Sequence, residues 1–293
     1  MRDLLGATCA ALGSAQESRW MVAHVAGLRA GDLVARSDVV VAPEVSDAVA
    51  DMVQRRLSGE PLQYVLGTWD FRGVEVRVDP RVLIPRPETE QVVGVALEEL
   101  LSPATGLAPG APLVAADLGT GSGAIALALA SELDPSRLFE VWATDISVGA
   151  LELCTENLAA LARHDPLAAA RVRVARGSWF EALPAEVAGA LHLVVSNPPY
   201  VSAAEWEVLE AGVRDYEPVG ALVPGPTGLE AIEVLLEETP RWLAPGGSLV
   251  VELAPAQAEA VRRRATDLGF DRVEVRDDLA GRPRMLVARS SPR

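Results

Sequence analysis

The tetrapeptide Asn197-Pro198-Pro199-Tyr200 follows directly on the apolar run Leu191-His192-Leu193-Val194-Val195 and Ser196. Each proline lacks an N–H and holds its predecessor in extended backbone, so no helix can start here. The carbonyls are then fixed in direction and have no regular partner. A stiff loop of this kind can present two acceptors, the Asn197 side-chain oxygen and the Pro198 carbonyl, to a single planar NH2 group. Such a nitrogen is a poor nucleophile because its lone pair is delocalised. Accepting both of its hydrogens orients it and favours the charge that develops as it attacks. Tyr200 can lie against the flat face of the same group and exclude water. The plain alternative is a surface turn, which an Asn-Pro pair commonly makes.

A second constellation is Asp117-Leu118-Gly119-Thr120-Gly121-Ser122-Gly123, which runs into the apolar segment 124–130. Glycines there let the main chain approach a ligand at a helix start. Gly119, Gly121 and Ala124 also satisfy the dinucleotide fingerprint, and Asp145 lies about twenty residues beyond, as that fingerprint requires. In Ala143-Thr144-Asp145-Ile146-Ser147 the Asp145 carboxylate can accept from two vicinal ribose hydroxyls. It serves equally well as a helix cap, as does Ser147. Trp179, in Gly177-Ser178-Trp179-Phe180, either stacks on an adenine or packs as a core or lid residue. These elements point to a nucleoside ligand, nicotinamide and S-adenosylmethionine alike. The Asn-Pro-Pro-Tyr loop separates the two, because hydride transfer needs nothing like it, whereas methyl transfer to a planar nitrogen does.

The elements that must position these residues fall into two regions. Up to about residue 62 the chain reads as helices, with apolar residues at three- and four-residue spacing over 18–26 and 45–57 and stops at Gly27 and Gly59. Residues 64–78 read as a hairpin with turns at Gly67 and Gly73. Leu83-Ile84-Pro85-Arg86-Pro87-Glu88-Thr89-Glu90 forms a rigid connector to a helix from about Glu88 to Leu101, and 102–112 form a surface loop. From Leu113 onward, short apolar runs at 113–116, 139–143, 172–175, 191–195 and 248–251 alternate with helical or loop segments. That alternation implies a parallel sheet covered on both faces. Ligands of such sheets bind beyond the carboxyl ends of the strands. The expected division is a helical docking domain 1–62, a hairpin and connector 63–90, and a catalytic domain 91–293.

Composition narrows the classes. The chain has 293 residues and a formal charge of -15, which argues against affinity built on a phosphate backbone. Cys9 and Cys154 fit no metal spacing and read as free thiols in a reducing cytoplasm. Leu5 to Cys9 is too short and polar a lead for a lipoprotein site, and no segment is apolar for long enough to span a membrane. His24 and His164 receive no role, and His192 reads as a satisfied core residue.

Taken together, residues 56–67, Phe71-Arg72-Gly73, residues 82–90, Asp117 to Gly123, Ser196 to Tyr200 and Glu217-Pro218 with Ala221-Leu222 resemble the HemK/PrmC family over nearly the whole chain. The resemblance implies an α/β class I S-adenosylmethionine-dependent methyltransferase fold: a Rossmann-like, mostly parallel seven-stranded sheet preceded by a small helical domain and a β-hairpin. It also implies an activity, transfer of a methyl group from S-adenosyl-L-methionine to the side-chain amide nitrogen of the glutamine in the Gly-Gly-Gln (GGQ) loop of peptide chain release factors, with S-adenosyl-L-homocysteine as product. By motif match, Asp117, Gly119, Thr120, Gly121, Ser122, Gly123, Asp145, Trp179 and Asn197 contact the donor. Asn197, Pro198, Pro199 and Tyr200 hold the glutamine, with Asn197, Pro198 and Tyr200 as the catalytic group. The helical domain docks the release factor. The expected protein is a cytoplasmic monomer without metal, membrane or direct nucleic-acid partner. Three positions depart from the family pattern: Ser178, Thr227 and Ala254. The competing readings are an amino-adenine methyltransferase of RNA or DNA, a nicotinamide-dependent oxidoreductase, and a non-catalytic module that retains the donor pocket.

Overall fold

The computed structural model describes residues 1–103 and 110–291, and these form two units. Residues 104–109, inside the loop expected over 102–112, lie outside the described residues. The first unit comprises Met1–Trp69 with Glu210–Tyr216, and the second comprises Asp70–Leu209 with Glu217–Arg293.

The first unit is helical. Its helices are α1 (Arg2–Leu12), α2 (Ala15–Val25), α3 (Pro43–Leu57) and the short α4 (Leu62–Leu66). Ser14 caps α2 by accepting from the Glu17 N–H, and Pro43 starts α3, where its missing N–H is no loss. Met21, Val22, Val49, Val53, Leu62 and Val65 make the core. Trp20 and Trp69 meet edge to face at 5.8 Å. The Arg56 guanidinium pairs with Glu17, and Arg55 grips Glu60 with two hydrogen bonds. Tyr64, Val65 and Leu66 are helical, so the hairpin expected from residue 64 begins later. Three consecutive buried side chains fit a packed helical turn and not an alternating strand, and Gly67 ends that turn at φ 74.

The hairpin itself is β1 (Thr68–Phe71) and β2 (Val74–Arg77), joined through Arg72 and Gly73 at φ 53 and 78. The twist of a tight hairpin requires positive φ at both central positions.

The second unit continues through α5 (Pro87–Leu100), β3 (Leu113–Leu118), α6 (Ala124–Glu132), β4 (Phe139–Asp145), α7 (Val148–His164), α8 (Pro166–Ala169), β5 (Val172–Arg176) and β6 (Leu191–Ser196). After the short α9 (Ala203–Trp206), and α10 (Ala211–Arg214) of the first unit, come α11 (Glu230–Trp242), β7 (Leu243–Glu252), α12 (Ala258–Asp267), β8 (Arg272–Asp277) and β9 (Pro283–Arg289). The sheet has seven strands in the order β5-β4-β3-β6-β7-β9-β8. The pairs among β3 to β7 are parallel, and β9 runs antiparallel to both β7 and β8. This is the mostly parallel seven-stranded sheet expected. β7 starts earlier than the apolar run suggests because it takes in Gly246-Gly247; a Cβ at Gly247 would lie 2.7 Å from the Leu191 carbonyl oxygen, so only glycine lets the strands meet there.

Strand order reverses between β3 and β6, since the chain winds outward from β3 to β4 and β5 and then returns on the other side. That switch point brings the ends of β3 and β6 together. The Ser196 hydroxyl donates to the Leu118 carbonyl at 2.6 Å. α6 is buried at every position from Ala124 to Ala130, so the helix after the glycine turn is held from all sides. His192 is half-buried, and its Nδ1 accepts from the Val114 N–H at 3.1 Å; burial lowers its pKa. Both cysteines are free thiols. Among the described residues no helix is long and apolar enough to cross a membrane.

Candidate active site

A cavity of about 310 Å³ opens at the carboxyl ends of the strands, within the range of small-ligand sites. Gly119, Thr120, Gly121, Ser122, Asp145, Trp179, Asn197 and Pro199 line it, together with residues 81–83, Pro85, Thr89, Ser178, Pro218, Gly220 and Ala221.

The glycine turn forms one wall. Gly119, Gly121 and Gly123 have φ of 75, 56 and 86, a region that other residues enter at a cost. The N–H groups of Gly119 and Thr120 both donate to the Thr144 carbonyl, at 2.9 and 2.8 Å, tying the turn to the end of β4. Asp145 completes this corner. Its Oδ2 accepts from the Gly121 N–H at 2.9 Å and its Oδ1 from the Ser147 N–H at 2.9 Å. Each carboxylate oxygen has a second lone pair, so both can still accept from a diol. Burial raises the Asp145 pKa, while the amides of Ser147 and Gly121 pull it down. Helix capping and ligand reception are thus not alternatives here, because Ser147 caps α7 and leaves the carboxylate at the cavity wall. Trp179 adopts φ 47, and its ring lies 3.6 Å from where a Cβ on Gly119 would stand. A side chain at position 119 would thus only touch the ring, and it is the positive φ that requires glycine there.

Asp117 does not line the cavity. It is fully buried beneath the turn, where its Oδ2 accepts from the Thr120 hydroxyl at 2.5 Å and from the Ala126 N–H at 3.1 Å. Burial pushes its pKa up to about 7. By accepting from both Thr120 and Ala126 it holds the turn against the start of α6, so in place of the expected donor contact the structure shows a positioning one. Gly123 likewise lies outside the wall and instead admits Cys154, whose Sγ would be 2.8 Å from a Cβ there.

Two residues of the Asn-Pro-Pro-Tyr loop, Asn197 and Pro199, line the same cavity. Asn197 stands at the end of β6 and donates from Nδ2 to Thr89 Oγ1 at 3.1 Å; among the described residues no donor meets its Oδ1. Pro199 lines the cavity beside it, whereas Pro198 is buried. Tyr200 is not in the cavity wall. Its ring packs against the core cluster of the sheet, and its hydroxyl donates to Glu252 Oε1 at 3.2 Å. Burial and the nearby Glu252 carboxylate push its pKa up. A buried carboxylate requires donors, and Tyr200, expected to lie against the acceptor group, supplies one through its hydroxyl.

The residues that brace this loop stood in the sequence as family-pattern positions without an assigned role. Gln257 donates from Nε2 to the carbonyls of Tyr200 and Gly228, at 2.9 and 3.0 Å, and its Oε1 accepts from the Ala254 N–H. Ala254 thus takes part through its backbone, which any residue supplies. The Thr227 hydroxyl donates to Glu230 and accepts from the Leu229 N–H, serving the turn that an aspartate would. Buried Glu217 accepts from the Ile84 N–H at 3.1 Å and from Arg86 at 2.5 Å, pinning the proline connector whose Leu83 and Pro85 line the cavity. The Leu-Ile-Pro-Arg-Pro-Glu-Thr-Glu and Glu-Pro segments were visible as motifs, but their mutual contact was not.

Comparison with known proteins agrees with this arrangement. The family described as PrmC N-terminal domain matches residues 9–67, and that described as methyltransferase small domain matches residues 107–223. The human MTRF1L release factor glutamine methyltransferase is 37% identical over 286 residues, covering 94% of this chain and 82% of its own. The release factor glutamine methyltransferase of Deinococcus radiodurans is 36% identical over 295 residues, covering 99% and 98%. A methyltransferase crystal structure from Pyrococcus furiosus superposes with a TM-score of 0.50 at 20% identity, covering 75% of this chain and 90% of that one, which shows the fold. With the glycine turn, Asn197 and Pro199 lining one cavity, and this similarity running through the full length, the chain belongs to the release factor glutamine methyltransferase family.

Proposed function

We propose that this protein transfers a methyl group from S-adenosyl-L-methionine to the side-chain amide nitrogen of the glutamine in the Gly-Gly-Gln loop of peptide chain release factors. One observation carries the reading: the Asn197 carboxamide is tied through its NH2 to Thr89, leaving an acceptor oxygen in the wall of the cavity that also holds Asp145 and the glycine turn.

The chain's residues suit the donor. Asp145 keeps two lone pairs for a ribose diol, Gly119 and Gly121 allow backbone approach, and Trp179 offers an aromatic face. When bound, the donor supplies an electrophilic methyl group on a sulfonium. Asn197 Oδ1 and the Pro198 carbonyl accept the two hydrogens of the glutamine amide and so aim its nitrogen. Among the described residues no hydrogen bond occupies the Pro198 carbonyl. Orientation of this kind lowers the barrier by converting a chance encounter into a held geometry. The product amide then loses its extra proton to water.

The helical unit is the docking surface for the release factor. Its match to the PrmC N-terminal domain and its exposed Val34, Val39 and Val40 support this role. The charge of -15 speaks against a nucleic acid as acceptor. A cytoplasmic monomer fits a substrate of the translation machinery. The test is incubation of the purified protein with labelled S-adenosylmethionine and either a purified release factor or RNA, with mass spectrometry to locate the label. Label on the glutamine of the Gly-Gly-Gln loop is expected; label on RNA adenine alone overturns the assignment.

A further inference from the structure

Asn197 is not free to choose which end of its carboxamide faces the cavity. Its Nδ2 donates to Thr89 Oγ1 at 3.1 Å, and the Thr89 hydroxyl donates to Glu252 Oε2 at 2.7 Å. A hydroxyl has one proton, and Glu252, although burial raises its pKa, accepts at both oxygens, from Thr89 and from Tyr200. Once the Thr89 proton is committed to Glu252, the hydroxyl can only accept from Asn197, which turns the amide oxygen away. Thr89 and Glu252 are 4% and 1% exposed, so water does not compete for the bond between them. The second carboxylate oxygen accepts from Tyr200 at 3.2 Å, so one buried side chain holds both ends of the Asn-Pro-Pro-Tyr segment.

We propose that Glu252 and Thr89 form a directional hydrogen-bond relay that sets the polarity of the Asn197 carboxamide, making both of them positioning residues for the methyl acceptor. This rests on the proposed function in that the acceptor is a planar NH2 group. The relay joins the first turn of α5, the end of β7 and the end of β6, three elements that no local sequence pattern links. Its direction has a chemical consequence. Glutamine at position 252 would keep its oxygen on Tyr200 and turn its NH2 to Thr89. The hydroxyl would then accept, and its proton would go to Asn197, whose oxygen would rotate inward. A donor would face the donor hydrogens of the substrate.

The experiment compares purified wild-type protein with Glu252→Gln, Thr89→Val, Thr89→Ser and the double variant E252Q/N197D. Turnover is read on a purified release factor with labelled S-adenosylmethionine, and affinity by calorimetry with S-adenosylhomocysteine. Glu252→Gln and Thr89→Val should lower kcat about tenfold to a hundredfold with unchanged S-adenosylhomocysteine affinity, as expected when an orienting partner or a preorganised contact is lost. Thr89→Ser keeps both bonds and should keep the rate. The double variant should regain part of the rate lost by Glu252→Gln, because the carboxylate introduced at position 197 accepts from Thr89 with one oxygen and presents the other to the cavity. A readout independent of turnover is hydrogen exchange of the Asn197 side-chain amide, assigned by its absence in Asn197→Ala. It should be slow in the wild type and severalfold faster in Thr89→Val and Glu252→Gln. Wild-type kcat in Glu252→Gln, a parallel fall in S-adenosylhomocysteine affinity, or unchanged exchange overturns the relay. Should wild-type protein leave the release factor unlabelled, the proposed function fails while the exchange data still decide the relay; if Glu252→Gln does not fold, the two Thr89 variants carry the test.

Discussion

Replacing Asp145 by alanine tests the donor site most directly. Two of the carboxylate's roughly four lone-pair positions are taken by the N–H groups of Gly121 and Ser147, both at 2.9 Å. Two remain for the ribose hydroxyls of the donor. Hydrogen bonds to a charged group contribute about 1.5 to 3 kcal/mol each. Part of that is offset, because burial already disfavours the ionised form of Asp145 and because water can enter an open cavity in place of the lost group. A net loss of about 2 to 3 kcal/mol corresponds to a rise in Kd of about 30-fold to about 160-fold. Asparagine should rescue little, because its NH2 would have to face one of the two backbone N–H donors. Calorimetry with S-adenosylhomocysteine measures the effect, with urea unfolding to show that the variant is folded. A folded Asp145→Ala protein with wild-type affinity would remove Asp145 from the site. NADH serves as the counter-ligand: binding of NADH as tight as that of S-adenosylhomocysteine would return the nicotinamide reading to contention.

Three further outcomes are expected. Asn197→Ala should abolish methyl transfer to the release factor while leaving the urea midpoint nearly unchanged, since the side chain's bond to Thr89 is at the cavity edge; full activity in a labelled-donor assay would refute the alignment role. Gly123→Ala should destabilise the fold by about 2 to 4 kcal/mol, from the left-handed backbone at φ 86 and a Cβ 2.8 Å from Cys154 Sγ; an unchanged unfolding midpoint would show that this helix start is not tightly packed. The third concerns pH. Asp117 has its pKa raised from 3.8 to about 7 in the folded state, so between those values the folded protein binds more protons than the unfolded chain, and stability falls as pH rises through that window. Asp117→Asn can keep one acceptor oxygen for Thr120 and Ala126 while removing the titration. Its stability should therefore decline less than that of the wild type between about pH 4 and about pH 7, as read from urea midpoints; parallel profiles would assign the dependence to another group.

Much of the molecule was open to reading from residue order, because it depends on near neighbours. Prolines 198 and 199 forbid a helix after β6 whatever surrounds them, and the glycines of 119–123 permit a turn that the all-apolar α6 can follow. The parallel strands announced themselves as short apolar runs, most fully β3 and β6, which are central in the sheet and nearly buried throughout. β8 and β9 did not stand out: β8 is half-exposed along most of its length and carries charged residues between its valines, as an edge strand does. The helical turn at Tyr64 to Leu66 was read as strand because three bulky residues in a row suit either geometry until the core they fill is known.

What only the tertiary structure decided is which partners the polar groups find. Asp117 looked like a ligand contact and became a buried brace. Tyr200, read for its ring, also donates from its hydroxyl to Glu252. Thr89 and Glu252, separated by 163 residues, meet because β7 pairs with β6 and α5 packs against β7. A hydroxyl or a carboxylate in a sequence states what bonds it can make. Burial obliges it to make them, and only the closed fold determines with whom.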